Sequence, residues 1–362
     1  MLLALTLLAL PKVLMVGDGK QFSRVEEAIT AARPGDTIEV FPRASGYAAT
    51  AVLVEKPNLR IVAHQRPVAL TGKGFDYSGV GRIPRAIFQF NPEAVGCTLR
   101  GFSLSGAHNS SHNGAGVRIN GAGSVTVEDC DIFGNDMGIM SAGPTATNQR
   151  IVLCHIHHNG DASDPGYNHN LYLGGADVTL ENCEIDHALT GHDLKSRAHF
   201  TLVKGCYLHD SANREFDFVD AKETEAPNSN AVLLDNLIVK HNHGGNGNVI
   251  HFGQERGVRH GTLYVLNNTI RTDSVAPVIA LDGDTRAELA NNLIVSEGQA
   301  KPTLAIGPVT GGNNWLSAAY GQISLSTPDR AAPTVSWSYV GLQGPVTFKL
   351  ARIGASRQWT VN

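Results

Sequence analysis

Aromatic residues supply only 6% of this 362-residue chain, and charged residues 17%. So few rings leave little material for a surface that works by stacking aromatics on bases or sugars. The formal net charge is −4, with no basic block, which excludes a general nucleic-acid partner and a polybasic membrane surface. Long apolar runs are missing too. The run LLALTLLAL at residues 2–10 is too short to cross a bilayer, so no membrane span is expected. Extended 3.6-residue periodicity is scarce and leucine is too sparse for a leucine-rich code, which removes helical and leucine-rich solenoids.

What the chain has in quantity is turns. Its 39 Gly and many Asn separate short stretches of Val, Ile, Leu and Thr. Between Phe102 and Ile294 one phrase recurs: apolar residues, a Cys or Asn, one variable residue, then Ile or Leu. The marked position reads Phe102, Cys130, Cys154, Cys183, Cys206, Asn236, Asn268, Asn292. Two residues later come Leu104, Ile132, Ile156, Ile185, Leu208, Ile238, Ile270 and Ile294. A second apolar beat follows each first one, at Val117, Ile139, Leu171, Leu194, Phe216, Ile250, Ile279 and Leu304. Short strands with one apolar side cannot bury it alone, and stacking successive repeats does. The expected fold class is all-β: a right-handed parallel β-helix, in one elongated and monomeric domain.

The ends depart from the repeat. Ser23 and Glu26 read as a capping box before the apolar stripe Phe22, Val25, Ala28, Ile29, Ala32, a helix that would cover the open first coil. The chain divides into a leader at 1–12, an N-terminal cap with the first coils at 13–96, regular coils at 97–307, and a C-terminal coil and cap at 308–362. The apolar leader points to export, to the periplasm or outside the cell. Cys130, Cys154, Cys183 and Cys206 fall in one inward slot on consecutive coils, where parallel side chains point alike. Buried, unbridged thiols are expected there, continued by an asparagine ladder at Asn236, Asn268 and Asn292.

Loop lengths locate a site. The excursions Ile156 to Leu171, Phe216 to Asn236 and Ile250 to Asn268 are longer than their counterparts and flank residues 169–255, and such insertions wall binding grooves in solenoids. If the second beat points inward, its neighbours point outward. After the beat these are Arg118, Met140, Tyr172, Lys195, Asp217, His251 and Ala280, and before it Asn170, Asp193 and Glu215, with Arg197 further along the Lys195 strand. The outer face thus gathers Tyr172, Lys195, Arg197, Asp193, Glu215, Asp217 and His251. Exposed strands of any β-helix carry paired charges for solubility, but here the groups are dense and coincide with the long loops. His155, His157, His158, His187, His209, His241 and His243 sit at the turn after the first beat. They show no tight ligand spacing and read as turn and surface residues.

The stretches HNLYLGGADVTLENC (169–183), GHDLKSRAHF (191–200), REFDFVD (214–220) and NVIHFGQERG (248–257) resemble a recurring group of bacterial right-handed β-helix proteins. The helix and Gly-Asp-Thr turn near the N-terminus are similar to those opening pectin-acting β-helix proteins, and the architecture resembles polysaccharide lyases and uronan C5-epimerases. The resemblance implies an acidic-polysaccharide site on the outer face of one sheet. Lys195, Arg197, Tyr172, His251 and His192 are then the catalytic candidates, and His169, Asn170, Asp193, Glu215 and Arg256 the substrate-binding ones. The Asp-Pro-His-Asp pattern of epimerases is absent; Gly191-His192-Asp193 is a partial echo. Removing the C5 proton of a uronate requires its carboxylate to be neutralised. Arg197 and Lys195 suit that role, and so would a Ca²⁺ held by Glu215 and Asp217, the one cofactor expected. β-Elimination by a lyase is the favoured reading. The rivals are a glycoside hydrolase using Asp193, Glu215 and Asp217, a C5-epimerase, and a non-catalytic glycan-binding surface protein.

Overall fold

A computed structural model of the chain describes residues 10–80, 82–242, 245–274, 276–296, 304–312 and 314–316, and the strands Thr334–Val335, Val346–Arg352 and Ala355–Val361. Three long sheets account for most of it. The first has 12 strands, from Val13–Val16 to Val309–Gly312; the second has 10, from Val68–Thr71 to Trp315–Leu316; the third has 10, from Val52–Val54 to Ala305–Ile306. Within each sheet the strands follow one another in chain order. Each full coil contributes one strand to every sheet, the topology of a parallel β-helix.

The register expected from the sequence is the register found. In the second sheet Leu104, Ile132, Ile156, Ile185, Leu208, Ile238, Ile270 and Ile294 are successive partners. In the third, Leu171, Leu194, Phe216, Ile250 and Ile279 are. All are buried, and their stacking is the core. No sheet breaks at residues 96 and 97: Arg60–Ala63 pairs with Thr98–Arg100, and Ala86–Phe90 with Ala115–Asn120.

The corner between the first and second sheets is built by one device repeated. A residue in the left-handed region (Gly101, Asp129, Leu153, Asn182, Gly205, Asp235, Asn267, Asn291) turns the chain, and the next side chain points inward. Asn268 Oδ1 accepts from Asn236 N and Nδ2 at 3.0 and 2.9 Å, and Asn292 Oδ1 from Asn268 N at 2.9 Å. Cys130, Cys154, Cys183 and Cys206 occupy the same slot, buried and unbridged. Their thiols aim at backbone carbonyls, as Cys130 does at Glu128 O, 3.3 Å away, and Cys206 at Lys204 O, 3.4 Å away, so the row is less apolar than its composition implies.

The N-terminal helix spans Val25–Ala31, one residue later than the Ser23–Glu26 box places it. Glu27 closes the start, accepting from Ser23 N and Arg24 N at 3.2 Å, while Glu26 turns away to accept from Ala51 N at 3.0 Å. Val25, Ala28, Ile29 and Ala32 are buried, and the helix lies against the first strands of the first and third sheets. The apolar start of the leader, 1–9, and His243 lie outside the described residues. Of the expected C-terminal cap, Thr334–Val335, Ala355–Val361 and Val346–Arg352 form a three-stranded sheet; Trp337 lies outside the described residues.

Candidate active site

On the third sheet, Tyr172, Lys195, Asp217, His251 and Ala280 are register partners on consecutive coils, as alternation from the inward beat requires. Parallel strands are about 4.8 Å apart, so neighbouring side chains in this column meet directly. Asp217 is its hub. Its Oδ2 lies 3.1 Å from Lys195 Nζ and 3.2 Å from His192 Nε2, and its Oδ1 2.8 Å from His251 Nδ1 and 2.9 Å from Arg214 Nη1. Asp217 is only 1% exposed and Lys195 7%. Burial pushes the Asp217 pKa up, but the surrounding His192, His251 and Lys195 outweigh it and hold the carboxyl well below its usual range.

One residue beyond the sequence reading completes the cluster. Glu255, on the loop after the Ile250–Phe252 strand, accepts from Lys195 Nζ and from Arg197 Nη2 with its two oxygens. Arg197 Nε also donates to the Tyr172 hydroxyl at 2.8 Å, and its Nη1 to Asp220 O. The loop is tied down by Asp220, whose carboxylate accepts from the backbone N–H groups of Glu255, Arg256 (3.1 Å) and Gly257 (2.8 Å). Arg256 contributes this backbone contact while its side chain is exposed. Burial would raise the Glu255 pKa, yet Lys195 and Arg197 lower it. The two cations therefore already grip an ionised carboxylate, at the mouth of the cluster.

The histidines are locked. His169 and His192 stack, with ring centroids 5.0 Å apart. His169 Nδ1 accepts from His192 N at 3.0 Å and His192 Nδ1 from Arg214 N at 3.2 Å, which spends both lone pairs and places the ring protons on Nε2. Burial lowers the pKa of both, and for His169 the neighbouring His192 and Lys195 lower it further. His251 bonds carboxylates on both sides, Asp217 and, at 3.0 Å, Asp282. Burial opposes its charged form, but those carboxylates prevail and raise its pKa, and both ring nitrogens are taken up by carboxylate oxygens.

Asn170, Asp193 and Glu215 are not on the outer face, contrary to the alternation argument. Each immediately precedes its strand (Leu171–Leu173, Leu194–Ser196, Phe216–Phe218), where the chain is still rounding the corner from the second sheet, and all three are fully buried. They belong to a second ladder that the Cys/Asn series does not announce. Asn159 Oδ1 accepts from Asn135 Nδ2 at 3.0 Å, Asn170 Oδ1 from Asn159 Nδ2 at 2.9 Å, and Asp193 Oδ1 from Asn170 Nδ2 at 2.9 Å. Glu215 follows, 3.4 Å from Lys240 Nζ. Burial first, and the adjacent Glu215 carboxylate second, raise the Asp193 pKa strongly.

The expected Ca²⁺ pair does not fit. Glu215 faces the interior and Lys240, while Asp217 faces four basic side chains, so the two carboxylates do not converge. The same burial removes Asp193 and Glu215 as the acid and base of a hydrolase, because neither reaches solvent.

Sequence comparison places the chain in a class that this coil geometry defines. The family described as "Right handed beta helix region" matches residues 97–300, and the chain belongs to it. Among solved structures it is similar to an alginate lyase from Paenibacillus sp. str. FPU-7, at 16% identity and TM-score 0.56, over 82% of this chain and 99% of that one. Weaker likenesses are to pectate lyase Pel9A (14% identity, TM-score 0.49, 89% and 86% covered) and to the A-module of the Azotobacter vinelandii mannuronan C-5 epimerase AlgE4 (15%, 0.39, 82% and 92%). At these identities the likeness is one of fold. No curated protein sequence matches. No helix among the described residues is long and apolar enough to cross a membrane.

Proposed function

We propose that this protein is an exported polysaccharide lyase that cleaves a uronic-acid-containing glycan by β-elimination on the outer face of its third sheet. One observation carries the reading: Lys195 and Arg197 together hold a carboxylate, that of Glu255, at the solvent edge of a buried charge cluster. A uronate carboxylate has the same charge and the same two oxygens, and would take that position when Glu255 swings out. Arg197 suits bidentate recognition, and neutralising the carboxylate stabilises the enolate-like charge that develops as C5 loses its proton.

The base must supply a lone pair. His169 and His192 have theirs occupied by backbone N–H groups, and both nitrogens of His251 face carboxylates. Lys195 and Tyr172 remain. The Tyr172 oxygen accepts from Arg197, which leaves its own proton free to go to the departing glycosidic oxygen. In this reading Lys195, released from Glu255 by the incoming substrate, first gives one ammonium proton to solvent and then, as the neutral amine, takes the C5 proton. The C4–O bond breaks as the C4–C5 double bond forms, and the sugar on the leaving side departs with the proton from Tyr172.

The test is a panel of uronic-acid polymers, read by ultraviolet absorbance of the unsaturated uronate. Absorbance growing with one polymer, and lost in Lys195→Ala and Tyr172→Phe, is the expected result. Reducing ends released without absorbance would mean hydrolysis. Altered C5 configuration without chain cleavage would mean epimerisation. No change with any polymer would leave glycan binding alone.

A further inference from the structure

The second sheet carries chemistry that the third does not use. Its outward positions on consecutive strands, His155–His157, Glu184–Asp186 and Tyr207–His209, lie beside the left-handed residues that follow them, His158 and His187. Register sets His157 opposite Asp186 and Asp186 opposite His209. Imidazoles and carboxylates thus alternate from coil to coil at the strand spacing of about 4.8 Å. The sequence sets His157 and His158 side by side but Asp186 a whole coil away, so no usual ligand spacing announces the group.

A ladder of ion pairs accounts for part of the grid. His155 Nε2 lies 2.6 Å from Asp186 Oδ2, and His187 Nδ1 2.6 Å from Asp186 Oδ1. It also takes in His157 Nε2, 3.1 Å from Asp131 Oδ1, but not the Nδ1 atoms of His157 and His158. These face each other at 2.8 Å, an arrangement in which one proton at most sits between two ring nitrogens. Asp186 offers an oxygen to the same spot: one ligand atom from each of the three residues lies within 4.8 Å of the others. His157 is half-buried, His158 is exposed and Asp186 is buried, so the spot opens to solvent on one side only. His187 stacks on His158, centroids 4.7 Å apart and rings 7° from parallel, which fixes the exposed ring.

We propose that His157, His158 and Asp186 form a transition-metal site on the outer face of the second sheet, taking a divalent ion of the Zn²⁺, Ni²⁺ or Cu²⁺ type. Two imidazole nitrogens and one carboxylate oxygen are the donor set these ions favour, whereas Ca²⁺ and Mg²⁺ take oxygen ligands in larger number. Three protein donors leave a further position for water or an external ligand. His155 and His187, each bonded to one Asp186 oxygen, hold the carboxylate in place, the usual support of a metal-bound carboxylate. This site is on a different sheet from the Lys195 cluster and does not depend on the lyase reading.

The full-length protein, stripped of metal, is titrated with Zn²⁺ alone by calorimetry, with Ca²⁺ in parallel. The expected result is one Zn²⁺ per chain with micromolar or tighter affinity and no saturable Ca²⁺ binding to these residues. His158→Asn keeps a residue that tolerates the left-handed backbone and should weaken Zn²⁺ at least about tenfold, with the metal-free thermal midpoint unchanged. Asp210→Asn, which disables the neighbouring His187, His209 and Asp210 group, should leave binding intact. Absence of stoichiometric binding below about 1 mM overturns the proposal. So does Zn²⁺ binding that survives His158→Asn, or that is lost in Asp210→Asn alone.

Discussion

If Glu255 occupies the place of a substrate carboxylate, removing it should help binding. In Glu255→Ala the carboxylate that now accepts from Lys195 and Arg197 is gone. Two charge-assisted bonds would be worth several kcal/mol if buried, but the Glu255 side chain is 36% exposed, and screening cuts the net to about 1–2 kcal/mol. That energy is what an incoming uronate must overcome, because the apparent affinity of a self-occupied site falls with the open fraction. Its loss should lower KM about 5–30-fold with kcat changed by less than about twofold. Initial rates from the absorbance of the unsaturated product, over a range of polymer concentrations, give both constants. A kcat that collapses in Glu255→Ala would show that this residue acts in the chemistry, and an unchanged KM would show that substrate binds elsewhere.

Arg197→Lys keeps a charge but loses the fork, and should cut kcat/KM about a hundredfold without changing the far-ultraviolet spectrum; Lys195→Ala should do at least the same. Because Lys195 is buried against Asp217 rather than lying free on the surface, its removal should also cost about 1–2 kcal/mol in urea unfolding, softened by the three other partners of Asp217. The raised Asp193 pKa makes its proton stabilising in full below the ordinary aspartate range near about 4, and that contribution is lost as pH rises through the raised value. Asp193→Asn keeps a donor to Glu215 at every pH, so its stability relative to the parent should grow as pH rises above the ordinary aspartate range; parallel curves would mean that no proton is held there. Leu153 sits at φ 56°, where Asn is tolerated and a branched apolar residue is strained, and Leu153→Asn should raise stability by about 0.5–1 kcal/mol. Turnover should persist in chelator, and its return only on adding Ca²⁺ would restore a metal to the chemistry.

Much of this was legible because a β-helix repeats. The inward series of Ile and Leu defines the register, and the register alone puts Tyr172, Lys195, Asp217 and His251 in one column. What alternation could not see is where each strand starts. Asn170, Asp193 and Glu215 lie one residue before theirs, and there the corner, not the pleat, sets the direction. Glu255 was hidden for another reason: it comes from an irregular loop whose path is set by Asp220, and nothing in local periodicity encodes a loop folding back across two coils. The length of that excursion from Ile250 to Asn268 was the available signal. His157 and Asp186 meet across neighbouring coils, a proximity that spacing along the chain does not encode.

The column of site residues has one further consequence. Its members come from separate turns, so the separation between Tyr172, Lys195, Asp217 and His251 is set by hydrogen-bonded strand spacing rather than by side-chain packing, and works as a ruler with fixed graduations. A mutation cannot slide one group a fraction of an ångström toward another. Variation is limited to exchanging the residue at a graduation, duplicating a whole turn, or reshaping the loops that overhang the column. A turn carrying alanines at its outward positions, inserted between the strands Leu194–Ser196 and Phe216–Phe218, would keep a continuous core yet part Lys195 from Asp217 by a full graduation, so such a protein should fold and be silent.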